Sequence, residues 1–182
     1  MEKLGDVAFF PMPDFFLRPM CRADLPAVLA VQEQCYGHAL IESADALASR
    51  LALSPSTCGV ACDADGRLVA YLFTHPWPAD SLPALDGKLE PPPASDLLWF
   101  VHDMAIAPAG RGSGVAARLF EAAREAARAA GLRTSRLIAV QSAADWWRRH
   151  GYAPAPADIA ARHAAKLAAY GADAILMERE LD

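Results

Sequence analysis

The stretch from Leu97 to Leu132 constrains this chain more than any other part of it. It opens with LLWFVHDMAIAP, an apolar run that stops at a proline and is short for a helix, and so reads as a buried strand. Gly110, Gly112 and Gly114 follow, interleaved with Arg111 and Ser113. Residues 112–130 then repeat apolar side chains at helical spacing. The expected inner stripe is Val115, Leu119, Ala122, Ala123, Ala126 and Ala130; Arg118, Glu121, Arg124, Glu125 and Arg128 populate the other side. Gly131 supplies the stop. Strand, glycine turn and helix in that order stack backbone N–H groups at a helix N-terminus, where the helix dipole also favours negative charge. Glycines let the main chain approach a bulky anion, and successive N–H groups can form an anion-binding nest. The chemistry indicated is phosphate or pyrophosphate binding, with the nucleotide left open.

Three readings of that turn compete. A Walker-type loop ends in Gly-Lys-Ser/Thr, whereas Gly114 is followed by Val115. A dinucleotide fingerprint accepts Gly112, Gly114 and Ala117, but it asks for an acid at the tip of the next strand. That strand, TSRLIAVQ, ends in Gln141. The third reading is a glycine-rich connection that holds no ligand.

The remaining pattern fills in one α/β domain. Residues 1–14 read as an N-terminal leader and 15–182 as a single domain. A first strand is expected over 15–20. A helix follows with Asp24 as N-cap, Pro26 in its first turn and Gly37 at its end. A second helix begins at Ser43. TCGVACDADGRLVAYLFTH reads as two strands joined at Asp65–Gly66. Six prolines between 76 and 93 mark a long irregular loop over 76–96, with His75 and Trp77 as candidate lip residues around a substrate. After the glycine helix come a strand over 135–140, a helix over 142–150, a strand opened by Gly151–Tyr152, a helix in ADIAARHAAKLAAYG and a closing strand in DAILMEREL. A chain of 182 residues with 54% hydrophobic content can bury a sizeable core without disulfides or metals.

Composition excludes several classes. With 22 acidic against 17 basic residues the net charge is −5, which does not predict a nucleic-acid binder. Four cysteines, at 21, 35, 58 and 62, show neither a CxxC pair nor zinc spacing, so no metal site is expected. No apolar run reaches membrane-spanning length and the N-terminus lacks a signal-peptide core, so a cytoplasmic protein is expected, away from membranes.

Arg111-Gly112-Ser113-Gly114-Val115-Ala116 matches R/Q-x-x-G-x-G/A, the signature of the GNAT superfamily of N-acetyltransferases. HDMAIAP resembles the fourth strand of that family, WWRRHGY is similar to its FYxxxGF segment, and LAAYGADAILMEREL resembles its last helix and strand. The resemblance covers residues 16–182. It implies a mixed, mostly antiparallel central sheet flanked by helices and splayed between strands 4 and 5. It also implies that acetyl-CoA is the cosubstrate and that a primary amine, of a small molecule or of a protein, attacks the thioester directly. Members are often homodimers. The pantetheine would run along Met104, Ala105 and Ile106. The pyrophosphate would take N–H bonds from Arg111, Gly112, Ser113, Gly114, Val115 and Ala116. Gln141 stands where members carry an asparagine on the pantetheine. A non-catalytic acyl-CoA-binding module and a nicotinamide-dinucleotide oxidoreductase are the alternatives.

The reaction needs a base for the amine and an acid for the thiolate. His102 resembles the position of a histidine base in serotonin N-acetyltransferases; a buried, hydrogen-bonded sheet histidine is the other reading. Strand alternation predicts that His102 and Asp103 point to opposite faces, leaving Asp103 as a structural carboxylate or an anchor for the substrate cation. The family's acid tyrosine is replaced by Trp147, whose indole cannot release a proton at useful pH. Tyr36 is a candidate substitute acid, or a partly buried aromatic.

Overall fold

The structure, a computed structural model, describes residues 14–93 and 95–182, so the leader expected over 1–14 lies almost wholly outside it. Seven strands form one sheet: β1 (Phe15–Pro19), β2 (Gly59–Asp63), β3 (Leu68–Pro78), β4 (Leu97–Ile106), β5 (Thr134–Ala139), β6 (Ala153–Pro154) and β7 (Ile175–Glu180). The helices are α1 (Leu25–Cys35), α2 (Ala44–Leu53), α3 (Val115–Ala129), α4 (Ala144–Arg149), α5 (Ala157–Arg162) and α6 (Ala164–Ala168). Sheet order is β1-β2-β3-β4-β5-β7-β6. Neighbours run antiparallel except β4 and β5, which are parallel. No helix among the described residues is long and apolar enough to cross a membrane.

Burial of apolar area drives the packing on both faces. On one face α3 lays Val115, Leu119, Phe120, Ala123 and Ala127 against Ala61, Val69, Leu72, Trp99 and Val101. The approach is close because β2 offers a glycine there: a Cβ on Gly59 would meet Leu119 Cδ1 at 2.9 Å. On the other face α1 and α2 bury Leu25, Val28, Val31, Leu47 and Leu51 over Val60, Tyr71, Phe73 and Ala105. A third cluster around Leu82, Leu98, Phe100 and Leu176 seats the proline-rich segment.

The structure departs from the sequence reading in several places. The α3 stripe includes Phe120 and Ala127, while Ala122 and Ala130 are exposed. Asp24 does not cap α1; its carboxylate takes Arg18 and the Cys21 N–H instead. Gly37 is not the helix stop, because α1 ends at Cys35 with Tyr36 extended. β3 continues through Pro76 and Pro78, which pair at the end of the ladder with Trp99 and Leu97. The helix expected through 157–171 breaks at His163 into α5 and α6. Ser43 does cap α2, accepting from Ala46 N–H, and Gly66 takes φ +81° at the β2–β3 turn.

Candidate active site

The parallel pair defines the site. β4 and β5 are joined only at Trp99–Ser135, Phe100–Arg136 and Val101–Leu137. Beyond those rungs β4 runs on to Ile106 and β5 to Ala139, and a cavity of about 330 Å³ opens between them. Leu137, Val140, Ala143 and Trp147 form one wall; His102 through Ile106 form the other. Arg111 stands at one part of the lining, and Tyr36, Leu40, Glu42, Leu85 and Tyr170 complete it.

The glycine turn flanks this cavity. Pro108–Gly110 makes one 3-10 turn, and α3 starts after Gly114. The three glycines do different jobs. Gly110 is buried, and a Cβ there would meet Ile106 Cγ2 at 3.2 Å and Val69 at 3.4 Å. Gly112 and Gly114 have open space around them but φ of +75° and +82°, a region costly for other residues. Ser113 Oγ donates to Gly110 O (2.6 Å) and accepts from Val115 N–H (3.3 Å). Among the described residues no protein group accepts from the N–H of Gly112, Ser113, Gly114 or Ala116. Three consecutive free donors and a fourth one residue beyond Val115, at the start of a 15-residue helix, are the donor set an anion needs. Across the cavity, Gln141 and Ser142 hold φ of +49° and +66° in a tight turn closed by Ala143 N–H to Val140 O. That conformation is strained for residues other than glycine or asparagine, and it holds exposed Gln141 at the cavity edge.

A β-bulge organises the other wall. Phe73 faces Asp103 and Thr74 faces Val101, which leaves His102 without a partner on β3. The expected alternation therefore fails: His102 and Asp103 both turn toward α1 and α2. His102 Nε2 lies 2.8 Å from Glu42 Oε1 and 2.6 Å from Arg50 Nε, and its Nδ1 lies 3.4 Å from His75 Nε2. The neutral ring accepts from Arg50; the imidazolium donates to Glu42. Its side chain is 1% exposed. Arg50, fully buried, also donates to Glu42 Oε2 and to the carbonyls of Ala46, Ala84 and Gly87. Burial works against ionisation of Glu42, but His102 and Arg50 outweigh it and hold the carboxyl below its usual range. Burial holds His75 well below the usual histidine range.

Asp103 has a different environment. Tyr36 Oη donates to its Oδ1 (2.7 Å) and Tyr71 Oη to its Oδ2 (2.6 Å). No Lys, Arg or His lies within ion-pair distance of it among the described residues. Burial pushes its carboxyl up despite the two phenols, and burial pushes both phenols well above their usual range. Asp103 is thus a carboxylate facing the cavity with hydrogen bonds but no counter-cation.

Of the residues singled out from sequence, His102, Asp103, Tyr36, Met104, Ala105, Ile106, Arg111, Gln141 and Trp147 line the one cavity. Gly112, Ser113, Gly114, Val115 and Ala116 form the turn beside it, although the Val115 N–H is already taken by Ser113. Trp147 is both wall and core, packed edge-on to Phe120 and Tyr152. His75 and Trp77 are not lip residues: His75 is fully buried and Trp77 packs in the third cluster. Leu85 is the member of that loop which reaches the cavity. Glu42, Arg50, Tyr71 and Tyr170 were missed. Arg50 alone had a signal, a charge at the same stripe position as Ala46, Leu47 and Leu51, which demands a buried acid as partner.

Known proteins resemble the chain in fold and in family sequence pattern. No curated protein sequence matches the chain. Among solved structures it resembles the PaiA N-acetyltransferase from Thermoplasma acidophilum in complex with coenzyme A. That match has 14% identity and a TM-score of 0.64, over 91% of this chain and 98% of that one. It also resembles the loading GNATL domain of CurA from Lyngbya majuscula, with 12% identity and a TM-score of 0.70 over 92% and 98%. At such identities the likeness establishes the fold. The sequence model of the acetyltransferase (GNAT) domain matches residues 54–154, more than half of the 182 residues. The chain belongs to the GNAT acetyltransferase family.

Proposed function

We propose that the protein transfers an acetyl group from acetyl-CoA to a primary amine, that of a small molecule in the first place and of a protein in the second. The observation that carries this reading is one cavity in the β4–β5 wedge, with Arg111 beside the free N–H groups of the glycine turn and a counter-ion-free carboxylate, Asp103, in its wall. The free donors of Gly112, Ser113, Gly114 and Ala116 hold the pyrophosphate. Met104 to Ile106 run beside the pantetheine, and Gln141 offers it an amide.

An amine arrives at pH 7 as an ammonium, with a reference pKa near 10.4. Freeing it at neutral pH therefore costs about 4–5 kcal/mol. Asp103 attracts the cation, which sheds one proton to solvent, and then takes a second proton from nitrogen as it attacks. Burial shifts this carboxyl upward, toward the range a general base needs. His102 acts in this reading as a positioning residue, because Glu42, Arg50 and His75 engage both its nitrogens and hold the bulge that turns Asp103 inward.

Calorimetric titration with acetyl-CoA and, in parallel, NADPH tests the proposal on wild type and Gly114→Glu, with circular dichroism to confirm folding. The variant places a carboxylate in open space beside the free N–H groups. Acetyl-CoA binding by the wild type, weakened at least tenfold in the folded variant, followed by turnover on an amine panel, supports the reading. Binding without turnover on any amine reduces the protein to an acyl-CoA-binding module. NADPH binding in place of acetyl-CoA refutes it.

A further inference from the structure

Resting on acetyl transfer as the reaction, we propose that Tyr170, in the turn between α6 and β7, is the acid that protonates the departing CoA sulfur. The need is set by Trp147: an indole lines the cavity where the family's tyrosine is expected, and an indole N–H cannot be given up to a thiolate.

The other proton carriers in the cavity wall are committed. Tyr36 Oη donates to Asp103 Oδ1. The Cys35 thiol points at Ile106 O, 3.3 Å away. His102 has its ring nitrogens turned to Glu42, Arg50 and His75. Arg111 and Gln141 hold protons they do not release. Three buried polar atoms among the described residues have no partner: Trp77 Nε1, Trp99 Nε1 and Tyr170 Oη. Of these residues only Tyr170 lines the cavity. A buried hydroxyl without a partner is rare enough in folded proteins to call for an explanation. Here the explanation is a partner that arrives with the substrate.

The phenol holds its proton before the reaction. Burial, with the charges of Glu42 and Asp103 behind it, raises Tyr170 above the usual phenol range, so the hydroxyl is present as a donor at neutral pH. The backbone is fixed: Tyr170 N–H donates to Leu167 O, and Gly171 turns the chain at φ +107° toward β7.

The step balances as follows. The ammonium loses one proton to solvent on entering. Its nitrogen forms the C–N bond and passes a second proton to Asp103. The C–S bond breaks with its electron pair on sulfur, and sulfur takes the Tyr170 proton to leave as the thiol. When the amide product leaves, Asp103 releases its proton and the Tyr170 phenolate regains one from solvent. One proton is released per turnover.

The test uses the full-length protein with Tyr170→Phe and with 3-fluorotyrosine at position 170. The expected result is a kcat about 100- to 1000-fold lower for Tyr170→Phe, with the acetyl-CoA Kd by calorimetry within about threefold of wild type. The 3-fluorotyrosine enzyme keeps activity, and its kcat and solvent isotope effect change with the acidity of the phenol, which a packing role would not produce. A Tyr170→Phe kcat within threefold of wild type overturns the proposal. A raised amine KM at unchanged kcat also overturns it and makes Tyr170 an amine-binding residue. Failure of the wild type to bind acetyl-CoA would instead strike the reading of the reaction itself.

Discussion

Arg50 carries the sharpest stability prediction. Its guanidinium is fully buried and joins four segments: α2 through Ala46 O, the proline-rich loop through Ala84 O and Gly87 O, the α1–α2 connection through Glu42, and β4 through His102. Arg50→Met keeps much of the volume and removes every donor. Glu42, whose side chain is 3% exposed, then stays ionised with one fewer partner. Breaking a buried pair from one side costs about 3–5 kcal/mol. Solvent screening reduces this little, because Arg50 is fully buried and Glu42 touches only the cavity edge. At about 2–4 °C per kcal/mol for a domain of this size, the melting midpoint falls by about 6–20 °C. The assay is thermal unfolding by far-ultraviolet circular dichroism, with urea unfolding to check two-state behaviour. The double variant Arg50→Met/Glu42→Leu leaves neither charge orphaned, so it should be at least about 2 kcal/mol less destabilised than the sum of the single variants. A single variant within about 1 kcal/mol of wild type, or additive single effects, would refute the claim that the ionic cluster behaves as one unit.

His75 makes stability depend on pH. Its folded-state pKa lies well below the ordinary 6.5, so the unfolded chain binds the proton first. The contribution is complete above 6.5 and declines as pH falls below it, by up to about 1.4 kcal/mol per pH unit. Asp103, shifted upward from 3.8, acts with the opposite sign above that value, so the difference between wild type and His75→Phe isolates the histidine. The variant should show a flatter decline in melting temperature between pH 7.5 and 5; an equal decline would count against this assignment. Thiol labelling at pH 8 checks burial: exposed Cys21 reacts first, and Cys58, fully buried and with its thiol pushed up to about 12, reacts only on unfolding. Acetyl-CoA should slow labelling of Cys35, which lines the cavity, and leave Cys21 unchanged.

The family resemblance carried the sheet architecture; beyond it, what could be read residue by residue was local. Glycines followed by a 15-residue amphipathic helix announce their own geometry, and Gly112 and Gly114 do adopt the left-handed conformation such a turn requires. The bulge at His102 could not be read, because the residues around it are ordinary strand formers and the slip depends on how β3 registers. That slip reverses the face of Asp103 and sets its carboxyl in the cavity wall beside Tyr36 and Tyr71. Glu42 and Arg50 are eight positions apart, but His102 is 52 beyond Arg50, so their union is a tertiary event. Tyr170 was hidden for another reason: its sequence neighbours AAKLAAYG read as helix, while the chain breaks at His163 and turns at Gly171. Propensity failed at Pro76 and Pro78 as well, where the end of the ladder tolerates residues that a central strand would refuse.

The three rungs that join β4 to β5 have a consequence for the molecule as an object. Beyond them the sheet is an unfinished garment, with two lips of main chain and no seam. Whatever lies there completes the fold as well as filling a hole, taking the position of an absent strand. A linear, amide-bearing occupant would bridge the free ends of β4 and β5, so the wedge should be stiffer when the protein is charged with its donor than when it is empty.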